Sequence, residues 1–268
     1  MFGGGPVQPG ALKSEEEHRR DICAVGRWIY ERNYVASTDG NISVRLNQRH
    51  ILTSPTGMCK GMMSPEDLVI TDLDGKKVNG GRNASSELAM HLTIYRHRPE
   101  VNSVCHAHPP VATGYAAAGT PLNKALVCEL IISLGCIPVA PYGTPGTPEL
   151  AESIEPFVDG YDAILLANHG VVTYGHDLLT AFFRMETAEH FARVSLVTEL
   201  IGKQVLLSGN EVQKLIAARS RYGLQVASNS GPEFPITSDC VDTERITLTR
   251  RELEALVDEA IRKDRPPH

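Results

Sequence analysis

The sequence carries, at residues 101–110, the stretch V-N-S-V-C-H-A-H-P-P, an apolar run that ends in two histidines and two prolines. In a β-strand, residues i and i+2 point to the same face of the sheet. A strand over 101–106 therefore places the imidazoles of His106 and His108 side by side, and the two prolines end the strand behind them. The stretch predicts a buried strand with two potential metal ligands at its end.

A second apolar run also ends in a histidine: D-A-I-L-L-A-N-H-G at residues 162–170. It predicts a buried strand over 162–167, with His169 at the strand end, just before a glycine turn. Three imidazoles with an open fourth position are the ligand set of a catalytic zinc site, so His106, His108 and His169 are candidate metal ligands. The same spacing also fits ordinary histidines at strand ends.

Glu87 strengthens the prediction of a metal site. It lies in A-S-S-E-L-A-M-H, at the start of a helix predicted over 86–97. Proton abstraction next to a carbonyl needs a Lewis acid on the oxygen and a base on the carbon, and Glu87 is a candidate for that base or for a fourth metal ligand. The alternative is a solvated carboxylate that the helix dipole favours at this position.

The rest of the chain mixes helices and strands without the βαβ rhythm of a doubly wound sheet. Helices are predicted at 14–33, 86–97, 177–201 and 250–262, and strands at 42–46, 50–53, 67–72, 101–106, 137–142 and 162–167. Capping boxes and the cap at Asp177 locate three helix starts. We expect one mixed α/β domain over 14–225, with helices on both faces of a central sheet, a tail at 1–13 and an extension at 226–268.

Composition excludes several classes of function. The chain has 268 residues with a formal net charge of -6, so no basic excess favours nucleic acid as a partner. No stretch approaches the ~20 apolar residues of a membrane span, and the first ten residues do not resemble a secretory signal. The six cysteines form no C-x-x-C pair. We therefore expect a cytoplasmic protein with reduced thiols and no membrane partner.

Three short segments have the composition of anion-binding loops. They are Gly40-Asn41 at a tight turn, Thr56-Gly57 in S-P-T-G, and Ser85-Ser86 at the start of the helix before Glu87. Free backbone N–H groups at turns and helix starts attract phosphate. The same residue types also occur in turns and caps that bind nothing. The sequence contains no Walker motif and no G-x-G-x-x-G fingerprint.

These segments, taken in order, resemble the class II aldolase family that includes L-fuculose-1-phosphate aldolases and L-ribulose-5-phosphate 4-epimerases. The matching pieces are T-D-G-N-I-S-V-R (38–45), T-S-P-T-G (53–57), S-S-E-L-A-M-H (85–91), H-A-H (106–108), A-P-Y-G-T-P-G-T (140–147), N-H-G (168–170) and R-Y-G-L (221–224). Each is weak alone, but seven in the correct order are specific.

The resemblance implies a three-layer α/β/α sandwich with a central mixed, mainly antiparallel sheet. It implies a zinc ion, or Mn²⁺, Fe²⁺ or Co²⁺, held by His106, His108 and His169 with Glu87 at the metal. It also implies a homotetramer with the site near a subunit interface, and a tyrosine, Tyr222, near the active site. The residues that it implies for binding phosphate are Gly40, Asn41, Thr56, Gly57, Ser85 and Ser86.

The implied reaction is cleavage of a ketose 1-phosphate to dihydroxyacetone phosphate and an aldehyde through an enediolate, with Glu87 as the acid/base. Glu87 favours an aldolase, because the epimerases of this family look as if they carry aspartate at the position of Glu87. One departure keeps other reactions open: segment 125–136 lacks the second tyrosine of the aldolases and carries Glu129. In this it resembles the methylthioribulose-1-phosphate dehydratases. A dehydratase, a 4-epimerase and a non-catalytic interaction protein are the alternatives.

Overall fold

The computed structural model describes residues 13–222. Within this range the helices are α1 (Glu15–Glu31), α2 (Leu88–His97), α3 (Pro110–Ala117), α4 (Cys128–Ser133), α5 (Pro148–Val158), α6 (Leu178–Ile201) and α7 (Gly209–Ala218). The strands are β1 (Asn41–Arg45), β2 (His50–Thr53), β3 (Val69–Asp72), β4 (Lys77–Asn79), β5 (Ser103–Ala107), β6 (Val139–Ala140), β7 (Ala163–Leu166) and β8 (Gly170–Gly175). Short 3₁₀ turns lie at Lys60–Met62, Pro65–Asp67 and Arg219–Tyr222. The predicted tail at 1–13, apart from Lys13, and the predicted extension at 226–268 with its helix at 250–262 lie outside the described residues.

The strands of this range form one sheet, in the order β4-β3-β2-β1-β5-β8-β7-β6. Neighbouring strands are antiparallel except β6 and β7, which are parallel. β5, the strand with the paired histidines, lies between β1 and β8. The predicted mixed, mainly antiparallel sheet is therefore present.

Alternate residues along the strands pack into two apolar cores, one on each face of the sheet. In β7, Ala163 and Leu165 belong to one core, whereas Ile164 and Leu166 belong to the other. The first core also contains buried side chains of α1, α3, α4, α6 and α7, and the second contains those of α2 and α5. Helices cover both faces, so the predicted three-layer α/β/α sandwich is confirmed.

Side-chain caps place two of the predicted helices where the sequence expects them. At the start of α1, the Ser14 N–H donates to the Glu17 carboxylate over 2.7 Å, and the Glu17 N–H donates to the Ser14 hydroxyl over 3.3 Å. At the start of α6, the Asp177 carboxylate accepts from the Thr180 N–H over 2.7 Å. Each cap satisfies N–H groups that a helix start leaves without an internal partner.

Other elements have no counterpart in the sequence prediction: β4, β8, α3, α4, α5 and α7. β4 and α4 are too short to show a periodic pattern, and α3 starts at Pro110, within the prolines interpreted as a strand end. The predicted glycine turn after His169 is wrong. The turn comprises residues 167–169, with Asn168 in the left-handed region at φ 56°, and Gly170 is the first residue of β8.

A buried ionic network joins the start of β7 to two helices. The Asp162 carboxylate contacts an Arg98 nitrogen at 3.0 Å and an Arg184 nitrogen at 2.6 Å, and its side chain is 8% exposed. Both guanidinium groups also donate to backbone carbonyls, Arg98 to Val158 and Arg184 to Tyr174. The network therefore ties the end of α2 and the middle of α6 to β7.

We expect Asp162→Ala to lower the free energy of unfolding by about 3–5 kcal/mol, because it leaves two buried cations without their shared counter-charge. Urea unfolding followed by circular dichroism measures the change. The control is Glu16→Ala, which removes an exposed partner of Arg20 and should change stability by less than about 1 kcal/mol. Equal effects of the two variants would show that the network does not stabilise this fold.

Candidate metal centre

Three imidazoles converge where β5 ends beside the β7–β8 turn. The Nε2 atoms of His106 and His108 are 3.1 Å apart. One ring nitrogen from each of His106, His108 and His169 lies within 4.8 Å of the other two. His106 is fully buried, and the side chain of His169 is 9% exposed. The sequence prediction that these three histidines lie together is therefore confirmed by the geometry.

A hydrogen bond to the backbone determines the tautomer of the neutral His106 ring. Its Nδ1 lies 2.9 Å from the Val171 carbonyl oxygen, which can only accept a hydrogen bond. The neutral ring therefore carries its proton on Nδ1 and turns an unprotonated Nε2 towards His108. A backbone carbonyl at the far nitrogen is the usual arrangement of a metal-binding histidine.

Burial favours the neutral form of two histidines of the cluster, His106 and His108. It lowers the pKa of His106 well below the ordinary histidine value, and the neighbouring imidazoles add to the effect, whereas Glu87 opposes it. Burial and His169 lower the pKa of His108 in the same direction. Metal binding requires neutral imidazole, so the lowered pKa values favour the metal-binding form of His106 and His108.

The spacing and shape of the cluster fit a divalent metal. With Zn–N distances of roughly 2.0–2.1 Å, the nitrogens of a tetrahedral site lie roughly 3.3–3.4 Å apart. The 3.1 Å between the His106 and His108 nitrogens is close to that value. Gly170 makes room for the rings, since a Cβ there would lie 2.5 Å from the His108 ring and 2.7 Å from the Ala107 carbonyl oxygen.

The Glu87 carboxylate lies against this cluster rather than in solvent. One of its oxygens is 3.3 Å from His106 Nε2, and the other is 3.2 Å from His169 Nε2. The Asn41 side-chain amide donates to the first oxygen over 2.6 Å. Burial by itself raises the pKa of Glu87, but the contacts with His106 and His169 and the Asn41 hydrogen bond outweigh burial, so the net shift is downward. The sequence's alternative, a solvated carboxylate at a helix start, is wrong because the side chain is only 11% exposed.

A cavity of about 430 Å³ opens beside the histidines. Glu87, His108 and His169 line it. So do all the residues that the resemblance implies for phosphate: Gly40, Asn41, Thr56, Gly57, Ser85 and Ser86. The structure thus brings the predicted metal ligands and the predicted anion loops to one cavity.

Gly40 shows why the first of these loops has its sequence. Its φ is +72°, a backbone conformation that favours glycine, and a Cβ there would lie 2.7 Å from the His106 carbonyl oxygen. The loop can therefore approach the ligand strand only with glycine at this position. Asn41 follows directly and pairs with His106 across β1 and β5.

The cavity is also lined by five residues that the sequence analysis does not predict: Thr38, Asp39, Pro55, Lys60 and Pro145. Asp39 has a carboxylate oxygen 3.6 Å from His108 Nδ1. Lys60 is a charged side chain with 1% exposure. Its one signal in the sequence is its setting between methionines in M-C-K-G-M-M, which is unusual for a solvated lysine.

Of the two other predicted catalytic residues, only Glu129 has a described side chain, and it does not join the site. Glu129 lies in the first turn of α4, where its carboxylate accepts from the Cys128 thiol over 3.2 Å, and it does not line the cavity. Tyr222 ends the last 3₁₀ turn, and its side chain lies outside the described residues. The roles of both stay predictions.

Comparison with known proteins agrees with this geometry. The family model described as Class II Aldolase and Adducin N-terminal domain matches residues 20–196. The chain belongs to the class II aldolase family. The resemblance that the ordered motifs predict is therefore confirmed.

The relatives of this chain are named for more than one activity. A 5-deoxy-D-ribulose 1-phosphate aldolase from Bacillus thuringiensis is 35% identical over 212 residues, covering 78% of this chain and 99% of the relative. A 3-oxo-tetronate 4-phosphate decarboxylase from Pectobacterium atrosepticum is 32% identical over 191 residues, covering 70% of this chain and 87% of the relative. A solved L-fuculose 1-phosphate aldolase has a TM-score of 0.72 and 29% identity, covering 80% of this chain and all of that one.

These similarities confirm the fold and confirm that the class II aldolase is an enzyme of the lyase kind. Metal dependence is a property of that family, and the His106, His108 and His169 cluster could bind the metal. Across residues 13–222, no helix has the length and apolarity needed to cross a membrane. The cytoplasmic location stays a prediction from composition.

We expect Gly170→Ala to reduce the bound metal to well below one ion per chain, because the new methyl group displaces the His108 ring. Elemental analysis of the purified protein measures the occupancy. Gly81→Ala is the matched control, since a Cβ at Gly81 has no neighbour within 4 Å. Full occupancy in the Gly170 variant would contradict this account of the cluster.

Proposed function

We propose that this class II aldolase is a zinc-dependent carbon–carbon lyase that cleaves a ketose 1-phosphate into dihydroxyacetone phosphate and an aldehyde. One observation carries the proposal: the three-histidine cluster, the Glu87 carboxylate and the loops with anion-binding composition meet at one cavity. Anion-binding loops at one end and a metal ligand set with a base at the other suit a small phosphorylated hydroxyketone.

The names of relatives support this substrate class. The Bacillus thuringiensis relative is named for a ketose 1-phosphate, and so is the solved L-fuculose 1-phosphate aldolase. Relatives from Methanococcus maripaludis are also named L-fuculose phosphate aldolases. The aldehyde half of the substrate differs among these names, whereas the phosphorylated three-carbon half is common to the ketose 1-phosphates.

The phosphate is proposed to bind among Gly40, Asn41, Thr56, Gly57, Ser85 and Ser86. The glycines allow backbone N–H groups to approach the phosphate oxygens closely, and the hydroxyls add further donors. Ser85 and Ser86 lie just before Glu87, the N-cap of α2, whose N-terminus favours an anion through its dipole. This arrangement would fix the substrate at one end of the cavity.

His106, His108 and His169 would hold the zinc ion, which would supply Lewis-acid chemistry at the substrate carbonyl. Three imidazoles also accept Mn²⁺, Fe²⁺ or Co²⁺, so the ligand set alone does not select the metal. Glu87 is proposed as a further ligand and as the proton carrier. Asn41 holds its carboxylate in place through the 2.6 Å hydrogen bond.

Glu87 is proposed to give a proton to the hydroxymethyl carbon of the product during cleavage and to take it back during synthesis. The Asn41 hydrogen bond favours the ionised form of Glu87, which is the form that takes the proton in synthesis. A separate group must take the C4 hydroxyl proton in cleavage and return it to the aldehyde oxygen in synthesis. Tyr222 is the first candidate, and Glu129, reaching the site from a neighbouring subunit, is the second.

Decarboxylation is the second candidate function. Relatives that are 32% and 35% identical carry the name 3-oxo-tetronate 4-phosphate decarboxylase. Loss of carbon dioxide next to a carbonyl also leaves negative charge beside that carbonyl, so the same ligands and the same proton carrier would serve. A dehydratase or a 4-epimerase on this site remains a further outcome of the experiment below.

We expect Glu87→Gln to keep the metal and to lose most proton exchange at the hydroxymethyl carbon of dihydroxyacetone phosphate. The reason is that glutamine retains the size of the side chain but cannot accept the proton. Proton NMR in heavy water, with zinc-loaded protein, follows the loss of that signal and needs no knowledge of the aldehyde. General acid–base groups contribute roughly 10²–10⁴-fold, which sets the expected decrease.

Glu155→Gln is the control for this experiment. Glu155 is an exposed residue of α5 that pairs with His97. This variant should exchange as fast as the unaltered protein. No exchange in the unaltered, zinc-loaded protein would contradict the aldolase and favour the decarboxylase, dehydratase or epimerase. Normal exchange in the Glu87 variant would overturn the role of Glu87 alone.

A homotetramer with the site near a subunit interface is also proposed. The C-terminal part of α6 exposes several apolar side chains together: Val197 at 54%, Leu200 at 78% and Ile201 at 71%. Apolar groups clustered on a surface indicate an interaction site. Burial of this face against another copy of the chain is consistent with the proposed assembly.

We expect Leu200→Asp combined with Ile201→Asp to lower the mass of the assembly, because two charges would have to be buried in the contact. Light scattering during size-exclusion chromatography measures the mass. Val78→Asp is the control, because Val78 is a similarly exposed apolar residue on the edge strand β4. An unchanged mass in the double variant would remove this face from the interface.

A further inference from the structure

Lys60 is the one lysine or arginine, among the described residues, that lines the cavity. Its side chain is long and charged, yet the residue is 1% exposed. Lysine is almost never fully buried unless its charge has a partner. The burial of Lys60 beside the proposed phosphate loops therefore requires an explanation.

The backbone around Lys60 is held against α1. A Cβ on Gly26 of α1 would lie 2.6 Å from the Lys60 carbonyl oxygen, and a Cβ on Gly61 would lie 2.6 Å from the Tyr30 ring. Both glycines are needed for the 3₁₀ turn at Lys60–Met62 to pack this closely. The position from which the Lys60 side chain starts is therefore fixed by the core.

The Lys60 ammonium connects two of the proposed phosphate loops. It donates to the Thr38 carbonyl oxygen over 2.9 Å and to the Met58 carbonyl oxygen over 2.6 Å. Thr38 precedes the Gly40-Asn41 turn, and Met58 follows Thr56-Gly57. An ammonium has three N–H donors, and the two carbonyl oxygens accept from two of them, so the third N–H has no partner among these contacts.

The charge of Lys60 has no carboxylate partner in the described part of the chain, where no aspartate or glutamate oxygen lies within 4.0 Å of its Nζ. Burial lowers the pKa of the Lys60 ammonium to about 8, while the more distant Asp39 and Glu87 act in the opposite direction. A buried cation without a counter-charge is unfavourable. A phosphate in the cavity would supply the missing negative charge.

We propose that Lys60 supplies the positive charge of the phosphate subsite and thereby selects phosphorylated substrates over unphosphorylated ones. The inference rests on the proposed phosphate site, and it assigns to that site a specificity-determining residue outside its loops of glycine, asparagine, serine and threonine. The two carbonyls orient the ammonium, and the third N–H is available to the anion. Hydrogen bonds to charged groups are the strong ones, so the effect on phosphate binding should be large.

Lys60→Met tests the proposal, because methionine fills similar space without charge. In the zinc-loaded protein we expect binding of inorganic phosphate and of dihydroxyacetone phosphate to weaken by about 10- to 100-fold, as calorimetry measures it. Proton exchange of unphosphorylated dihydroxyacetone, measured by NMR, should be unchanged, as should the zinc content. Lys60→Arg, which keeps the charge, should retain most of the preference for the phosphorylated compound.

Lys77→Met is the matched control. Lys77 also donates to a backbone carbonyl, that of Arg82, but it lies exposed on β4 and does not line the cavity. Its variant should bind phosphate as the unaltered protein does. A Lys60→Met protein that binds both phosphates normally would overturn the proposal. So would an equal loss on phosphorylated and unphosphorylated compounds, because that would assign Lys60 a purely structural role.

A measurement on the unaltered protein covers the case in which neither Lys60 variant folds. With ¹⁵N-labelled lysine, the ammonium signal that is protected from solvent exchange should shift when inorganic phosphate is added. Phosphate binding without such a shift would overturn the proposal. Lys60-dependent binding of phosphate without proton exchange of dihydroxyacetone phosphate would leave Lys60 in place and contradict the aldolase alone.

Discussion

The pairing of β5 with β1 on one side and with β8 on the other is the constraint on which the site depends. It places Asn41 and Val172 opposite His106. It also brings the backbones so close that a Cβ at Gly40 or Gly170 would collide with the ligand strand or its rings. Neutral imidazoles do not attract one another through their lone pairs. The sheet holds them together, and nitrogens that are already 3.1 Å apart are placed to share a cation. Metal affinity is therefore a consequence of strand register.

The parts of this arrangement that the sequence predicts are those with a local chemical signal. H-x-H at the end of an apolar run requires only the alternation of a strand, so His106 and His108 could be assigned together. His169 could be added because a second apolar run ends in the same way. Capping residues at Ser14 and Asp177 locate two helices for an equally local reason. Elements such as α4 and β4 have too few residues for a periodic pattern. From sequence alone, Pro110 indicates the end of a strand, whereas in the structure it is the first residue of α3.

The parts that the sequence does not predict depend on contacts between distant segments. Lys60 is nineteen or more residues from every other lining residue outside its own loop. Nothing near it in sequence indicates that its ammonium reaches the Thr38 carbonyl. The environment of Glu87 is similar. Its place at a helix start is readable from A-S-S-E-L, but its contacts with two histidines depend on how α2 lies against β5 and the β7–β8 turn.

In the proposed reaction, the described residues supply the contacts for one half of the substrate and not for the other. The phosphate loops, Lys60, Glu87 and the histidines meet at one cavity, and together they address a phosphate and the carbon next to a carbonyl. An aldolase and a decarboxylase of this family share those requirements and differ in the group that leaves. The residues proposed to act on the leaving group are of another kind, since Glu129 is exposed on α4 away from the cavity lining. A site completed by a neighbouring subunit accounts for both facts. In that proposed assembly, the metal and phosphate contacts are built inside one chain, and the choice between an aldehyde and carbon dioxide would depend on surfaces that meet between subunits.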